Sequence, residues 1–435
     1  GGWNDRCVPP WSGEELVVKV RNAYSYATSR IGADTPEAQF ADDPDSSPTA
    51  KRKLTRVECM NQRCAVVIVG TSYLIAERYK DSQDRAKVKL FGREAFHVAK
   101  VRDFYIDQDG KKYFTSKQWM VSPNRRTYEG GFTFNPKKIS SGNDKFNHWR
   151  GFYFKPLANM SPDDAKKECN LFLRHLKNVV CGGNMEHYSW VMNHFSQLLQ
   201  TPWKKPETAI VVVGEKGAGK SLIFDVIGNL AKDNYILTAE KRMLLGNFNS
   251  HMETVLVFQF EEAFWAGDKA AEGKLKLLIT GKHHMVERKG YEPYMVGNYA
   301  RIYITSNNDW AIPATVDERR FAVFQCLSNM IGDKAYFNEI FSQLERDGGL
   351  GYRALMTVLM GVDVDQTAVH VPPKTEALAD QKMETLDSDA QWLLASLEEG
   401  HVDGLDTGFE DGLTWPREVS CKDVFQSYKS HSNDQ

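Results

Sequence analysis

The stretch Ala209-Ile-Val-Val-Val-Gly214-Glu-Lys-Gly217-Ala-Gly219-Lys220-Ser221 leaves few folds open to this chain. An apolar, β-branched run reads as a buried strand, a glycine-rich turn follows, and Ser221-Leu-Ile-Phe-Asp-Val-Ile-Gly-Asn-Leu continues with helical periodicity. Strand, loop and helix in that order make a phosphate-binding loop and predict an α/β core. Three glycines let successive backbone N–H groups point inward at phosphates, and the helix N-terminus adds its partial positive charge. Gly214, Glu215, Lys216, Gly217, Ala218, Gly219, Lys220 and Ser221 form the expected cradle. Lys220 would reach the β- and γ-phosphates, and the Ser221 hydroxyl would ligate Mg²⁺. The expected ligands are ATP and Mg²⁺, and the expected reaction is hydrolysis of the triphosphate.

At 435 residues the chain has room for about three domains with cores of their own. Its longest apolar runs, such as Ala65–Val69 and Ala209–Val213, are far too short to cross a bilayer, and no secretory signal is visible. Seven cysteines without a CxxC pair fit a reducing compartment, and Cys59 and Cys64 read as free thiols. A cytoplasmic setting is expected. Net charge is −2, yet residues 376–412 hold eleven acids against Lys382 alone, so that segment is −10 and the rest of the chain +8. A basic surface for nucleic acid is therefore permitted outside the acidic segment.

Along the chain, Ser12-Gly-Glu-Glu15 announces a helix with Leu16, Val20, Ala23, Tyr24 and Ala27 on one face. Residues 31–56 then read as a mobile linker. Residues 57–156 are strand-like, with a hairpin expected at Asp109-Gly110, and predict a small β-rich N-terminal domain. Ser161-Pro162-Asp163-Asp164 starts a helix whose stripe is Ala165, Cys169, Phe172, Leu176 and Val179. A second helix, with Tyr188, Val191, Met192, Phe195 and Leu199 on its face, stops at Thr201-Pro202.

Downstream of the loop, Thr254-Val-Leu-Val-Phe-Gln-Phe-Glu261-Glu262 predicts a second buried strand, set beside the loop strand and ending in two carboxylates. One carboxylate can hold Mg²⁺ and the next can polarise the attacking water, which assigns the metal role to Glu261 and the water role to Glu262. Surface acids capping a strand end are the plainer alternative. A third strand ends at Asn307-Asn308, where Asn307 can touch the γ-phosphate or the lytic water or simply turn the chain. Arg319 and Arg320 follow two acids, as a solvated ion pair or as an arginine supplied to a neighbouring subunit's γ-phosphate. Between the second and third strands, Lys274–Tyr291 reads as a helix, a turn and a short basic hairpin. Its tip, Arg288-Lys289-Gly290, suits a phosphate backbone.

These motifs resemble the superfamily 3 helicases, in particular the poxvirus-type primase-helicases of phages, prophages and plasmids. The resemblance rests on Gly214–Ser221, Phe260–Asp268, Glu287–Gly290, Thr305–Trp310 and Asp317–Phe321, in family order, and on Gly2–Ser12, which is similar to the helical tail after a primase-polymerase domain. It implies an AAA+ type core, a hexameric ring, and ATP-driven travel on single-stranded DNA, usually 3′ to 5′, through forked DNA. By the same resemblance residues 1–30 are the tail of a primase region and residues 157–203 a helical oligomerisation segment. Residues 204–330 are then the helicase core, 331–375 its helical C-terminal part, and 376–435 an acidic segment leading into a DNA-binding module. Lys220 and Ser221 would belong to Walker A, Glu261 and Glu262 to Walker B, Asn307 to the sensor, Arg319 or Arg320 to the trans arginine, and Arg288 and Lys289 to the DNA-facing hairpin. Relatives commonly have Asp where Glu261 stands. The missing primase-polymerase domain is expected in the same full-length polypeptide, and a phage origin would set the chain in the bacterial host cytoplasm. Two other readings stand beside the helicase: a small-molecule kinase, and a ring ATPase or loader that does not unwind.

Overall fold

The computed structural model describes residues 12–15, 17–18, 54–82, 85–137, 144–246, 249–262, 269–288, 293–308, 310–312, 314–315, 318–399, 402 and 419–433. The chain divides into two compact units, residues 1–59 and 60–435. In the first, the capping box forms as read. Ser12 N donates to Glu15 Oε2 at 2.9 Å, and Glu15 N donates to Ser12 Oγ at 3.3 Å. The rest of that helix face, and linker residues 31–53, lie outside the described residues. A second capping box, Thr55 with Glu58, opens helix α1 (Arg56–Arg63).

The second unit begins with a four-stranded sheet, ordered β3 (Ala86–Phe91), β2 (Ser72–Lys80), β1 (Cys64–Val69) and β6 (Thr127–Tyr128). The first three are an antiparallel meander, and β6 joins β1 in parallel. Between β3 and β6 the chain makes a hairpin of β4 (Phe104–Ile106) and β5 (Lys112–Phe114) around Asp109-Gly110. This segment is less purely β than its sequence suggests. Helices α2 (Arg93–Ala99) and α3 (Thr115–Val121) pack Phe96 against Trp119, with ring centroids 5.7 Å apart and both side chains fully buried. Seven-residue helices cover barely two turns, too short for a 3.6-residue period to stand out in the sequence. A short parallel pair, β7 (Phe132–Thr133) and β8 (Phe146–Asn147), follows.

Ser161 caps α4 (Pro162–Glu168) by accepting from Asp164 N at 3.1 Å. The single helix expected from there to Val179 is instead broken. At Cys169 the backbone leaves the helical region (φ −133°, ψ 21°), α5 (Asn170–His175) restarts, and Leu176–Val180 is a π-helical turn. Helix α6 (Met185–Gln200), capped by Asn184, ends before Pro202 as its sequence predicts.

Five parallel strands form the central sheet, in the order β10 (Tyr235–Thr238), β11 (Val257–Glu261), β14 (Arg301–Ser306), β9 (Ala209–Val213), β15 (Phe321–Gln325). All of β9 is buried, as expected of a strand covered on both faces. Ile210 and Val212 point into the core around Phe224, Ile227 and Tyr303, whereas Ala209, Val211 and Val213 point into the core around Phe258, Ile302 and Phe321. Phe224, on α7 (Lys220–Ala231), stacks on Tyr303 at 4.7 Å. Burying one such ring contributes about 2–3 kcal/mol. The strand order also corrects one expectation. The strand ending in Glu261 is not the neighbour of the loop strand, because β14 lies between them. Pairing order is a tertiary property that apolar runs do not encode.

After α7 the chain adds α8 (Arg242–Leu245), α9 (Lys269–Thr280) and an antiparallel hairpin of β12 (His283–Val286) and β13 (Tyr294–Gly297). The long helix α10 (Lys334–Met360) kinks at Asp347-Gly348-Gly349, all at positive φ. The acidic segment is folded into helices where it is described. Helix α11 (Glu376–Glu384) buries Ala377 and Leu378, and α12 (Ser388–Glu399) meets α13 (Cys421–Asn433) through a Trp392 Nε1 to Ser427 Oγ bond of 3.1 Å. Acids on the outer face of an amphipathic helix hide an apolar inner face when only charge is counted. Among the described residues no helix is long and apolar enough to cross a membrane.

Candidate nucleotide site

Parallel pairing sets the site's geometry. Glu261 lies opposite Thr305 in register, and Thr305 and Ser306 lie opposite Val212 and Val213. The residues just past the three strands therefore meet at one edge of the sheet: Gly214 and its loop, Glu261 with Glu262, and Asn307. That edge carries a cavity of about 360 Å³ lined by Lys216, Gly217, Gly219, Lys220, Ser221, Leu222, Asp225, Glu261, Glu262, Thr305, Ser306, Asn307, Phe337 and Phe341. Its size suits a nucleotide-scale ligand.

The loop needs its glycines. Gly214, Gly217 and Gly219 sit at φ of +141°, +87° and +92°. At Gly219 a Cβ would come within 2.6 Å of the Phe337 ring and 2.8 Å of the His175 ring. Lys220 opens α7 and turns its ammonium back, donating at 2.7 Å to the carbonyls of Gly214 and Glu215 and to Asn307 Oδ1. Asn307 Nδ2 in turn donates to Glu262 Oε1 at 2.8 Å. Lysine, asparagine and glutamate thus form one hydrogen-bonded run across three segments. Burial pulls the Lys220 ammonium below its ordinary pKa, and Cys326, Glu262 and Glu215 oppose that shift. Glu262 has a φ of +52°, an uncommon conformation for a side-chain-bearing residue, and it swings that carboxylate toward Asn307.

Several contributors are not visible as motifs. Asp225, one helical turn after Ser221, accepts from Tyr235 OH and Gln259 Nε2 at 3.1 Å each, and burial raises its pKa. Its i+4 spacing from Ser221 was the available signal. Phe337 and Phe341 arrive from α10 with no local cue. His175, fully buried, bridges the loop to α10. Its Nε2 lies 3.2 Å from Gly219 O and its Nδ1 3.1 Å from Tyr336 OH. A carbonyl can only accept, so Nε2 carries the proton and Nδ1 accepts from the phenol. Burial lowers the His175 pKa, which keeps this ring neutral.

For a divalent cation, the Ser221 hydroxyl and the Glu261 carboxylate face the same cavity. Among the described residues no cluster of three or more His, Cys, Asp or Glu groups forms a metal cage. One carboxylate and one hydroxyl beside the glycine loop fit Mg²⁺, which keeps most of its waters and takes few protein ligands.

The two arginines part company. Arg320 Nη1 donates to both oxygens of Glu318, at 3.1 and 3.3 Å, and the Glu318 side chain is fully buried. Glu318 Oε1 also accepts the backbone N–H groups of Arg319 and Arg320, at 2.9 and 2.8 Å, and Lys276 Nζ lies 3.4 Å from its other oxygen. Arg319 is exposed, and its guanidinium has no partner among the described residues. Neither arginine lines the cavity. At the β12–β13 hairpin, Arg288 departs from the expected free basic tip. It pairs with the buried Glu253 and donates to Tyr294 OH at 2.9 Å, while Tyr294 OH donates to Glu253 at 2.9 Å. Its cation is committed to the root of the hairpin. Lys289 and Gly290 lie outside the described residues.

Residues 212–320, which span the loop, both carboxylates, Asn307 and both arginines, match a family of unknown function (DUF5906). The DNA primase-polymerase of Nitratiruptor phage NrS-1 is 22% identical over 209 residues, 45% of this chain and 29% of that protein. The match therefore spans less than a third of that relative. An apo structure of the NrS-1 C-terminal region superimposes with a TM-score of 0.58 at 16% identity, covering 86% of this chain and 84% of that one. A second, the A form of the same region, gives 0.60 at 15% identity over 87% and 86%. At these identities the likeness is one of fold.

Proposed function

We propose that this chain is the ATP-driven, ring-forming DNA helicase motor of a phage-type replication protein, with an AAA+ core of the superfamily 3 kind. The observation that carries the reading is the hydrogen-bonded run Lys220–Asn307–Glu262 at the sheet edge. A phosphate-binding lysine, a neutral amide and a carboxylate in contact are the parts needed to hold a γ-phosphate and aim a water at it. The strand order supports the AAA+ assignment because it inserts the sensor strand β14 between loop and carboxylate. Likeness to a phage primase-polymerase and to its C-terminal region supports the replication setting.

In this reading the loop amides and Lys220 bind the β- and γ-phosphates, and Ser221 and Glu261 would hold Mg²⁺, which would supply charge neutralisation there. Glu262 Oε1 takes the proton of the attacking water, and Asn307 fixes that carboxylate relative to Lys220. Phe337 and Phe341 give the site an apolar wall that keeps bulk water away from the loop. The trans arginine is Arg319, because its guanidinium faces outward while that of Arg320 is held by Glu318. Lys289 is the hairpin residue proposed to meet DNA.

Steady-state ATPase assays with and without single-stranded DNA, paired with displacement of a forked duplex, test the proposal. Expected are Mg²⁺-dependent hydrolysis abolished by Lys220→Ala, stimulation by DNA, and displacement from a 3′ tail. Hydrolysis with neither stimulation nor displacement would move the chain to the non-unwinding ring ATPases.

A further inference from the structure

The β4–β5 hairpin is exposed or half-buried along its length, and yet it is aromatic. Its register pairs Phe104 with Phe114, Tyr105 with Tyr113 and Ile106 with Lys112, so Phe104, Phe114 and Lys112 share one face and the tyrosines take the other. Tyr105 and Tyr113 are stacked, with centroids 5.3 Å apart and planes at 16°, while Phe104 meets Phe114 edge-on at 6.3 Å. Phe104 is 40% exposed, whereas the core aromatics of this region, Phe96, Trp119 and Phe146, are at most 1% exposed. Packing accounts for those three and leaves the exposed ring of Phe104 unexplained.

Cations sit on these rings. Lys112 Nζ lies 3.8 Å from the Phe104 centroid and Lys111 Nζ 5.3 Å from that of Tyr113. Neither lysine pairs with a carboxylate among the described residues. The frame beneath them is stiff: Asp107 Oδ1 accepts from the N–H groups of Asp109 and Lys111, at 3.0 and 2.8 Å, and Thr115 Oγ1 donates to Asp103 at 2.7 Å. The carboxylate of Asp107 is thereby occupied by the turn. Around the hairpin, residues 57–156 hold nineteen Lys and Arg against ten Asp and Glu, in a chain of net charge −2. The positive charge of the molecule is concentrated on this segment.

We infer that the β4–β5 hairpin is a docking surface for a single-stranded polynucleotide, separate from the nucleotide site. A base stacks on the exposed Phe104 ring, and Lys111 and Lys112 leave the ring faces for neighbouring phosphates. One exposed ring and its half-buried neighbours, interleaved with lysines that pair with no carboxylate among the described residues, match an alternation of base and phosphate. A duplex keeps its base faces hidden and meets only the lysines. An acidic protein surface likewise has no use for the rings.

Fluorescence anisotropy of the whole chain with a labelled oligothymidylate of about 30 nucleotides, without nucleotide triphosphate and over a salt series, tests this. Phe104→Ala should weaken binding roughly tenfold and leave the salt slope in place. Lys111→Ala with Lys112→Ala should weaken binding and lower the slope by about 1.4, or ~0.7 per phosphate contact. An oligouridylate of equal length separates DNA from RNA as the strand bound, and a duplex should be indifferent to Phe104→Ala. Unchanged affinity and slope in both variants overturn the inference. So does a loss confined to the lysine variant, which marks plain charge attraction, or a Phe104→Ala effect equal on duplex and single strand. All three positions are exposed, and an unchanged melting temperature verifies folding. Failure here is distinct from failure of the motor reading, since DNA-independent hydrolysis should be normal in the hairpin variants and Lys220→Ala should retain the hairpin-dependent binding.

Discussion

Asn307→Ala would cut the run between Lys220 and Glu262 at its middle. Two hydrogen bonds go, the 2.7 Å bond from Lys220 Nζ and the 2.8 Å bond to Glu262 Oε1. A hydrogen bond to a charged group contributes about 1.5–3 kcal/mol, and Asn307 is exposed, so the lower end applies after allowance for solvent screening. About 1.5–2 kcal/mol taken from the transition state is roughly a 10- to 30-fold fall in kcat. The loop amides and the carbonyl contacts of Lys220 are untouched, so the KM for ATP should move by less than about threefold. Asn307→Asp separates the two arms. It keeps an acceptor for Lys220 and replaces the donor to Glu262 with another acceptor. If the Glu262 arm carries the effect, both variants should be equally slow in a phosphate-release assay. If the Lys220 arm carries it, the aspartate variant should recover most of the rate. A kcat within twofold of wild type for Asn307→Ala would refute the argument, as would a pure KM effect.

Other expectations follow from the same geometry. Arg320→Ala should lower unfolding free energy by about 2 kcal/mol in urea, because buried Glu318 loses its guanidinium partner and keeps, besides the two backbone N–H bonds, the longer Lys276 contact. Arg319→Ala should change it by less than about 0.5 kcal/mol, yet slow hydrolysis and be rescued in part by mixing with Lys220→Ala subunits. Gly219→Ala adds a methyl at φ +92° against Phe337 and His175, and fluorescent-nucleotide titration should show weaker binding together with a lower melting temperature. Full burial, helped by Arg301, holds the His194 pKa at about 3 against an ordinary 6.5. The unfolded chain then binds the proton first, so stability is complete above pH 6.5 and declines as pH falls toward 3. At about pH 5 the loss is about 2 kcal/mol. His194→Gln should flatten that part of the pH profile, and an unchanged slope in urea titrations would count against it.

What could be read in advance divides by the distance along the chain over which each feature is determined. The loop, its helix, the strands leading to Glu261 and to Asn307, and the turn at Asp109-Gly110 each depend on a handful of adjacent residues, and their periodicity and glycines are visible in the sequence. Strand order is not, since β14 enters between β9 and β11 only when their crossovers pack. Nor are His175, Phe337 and Phe341, which reach the loop from positions with no chemistry of their own. Arg288 looked like a free cation because its partner, Glu253, lies thirty-five residues away in sequence.

The acidic segment misleads for the same reason, and its folded part bears on the arginine question. Gln381, on α11, accepts from the backbone N–H groups of Ala311 and Ile312 at 2.7 and 3.1 Å, and Thr385 Oγ1 accepts from Ala314 N at 3.2 Å. Those amides belong to the connection that runs from Asn307 to Glu318. One end of that connection touches Lys220 and Glu262; the other presents Arg319. If the chain is the proposed ring motor, a segment whose ends face the Glu262 carboxylate and the Arg319 guanidinium, and which is clamped to α11 between them, would pass a change at the γ-phosphate to a neighbouring subunit. Gln381→Ala should then leave basal ATP affinity intact while lowering the rescue seen when Arg319→Ala and Lys220→Ala subunits are mixed. Full rescue in that background would separate α11 from the coupling and leave it a purely structural clamp.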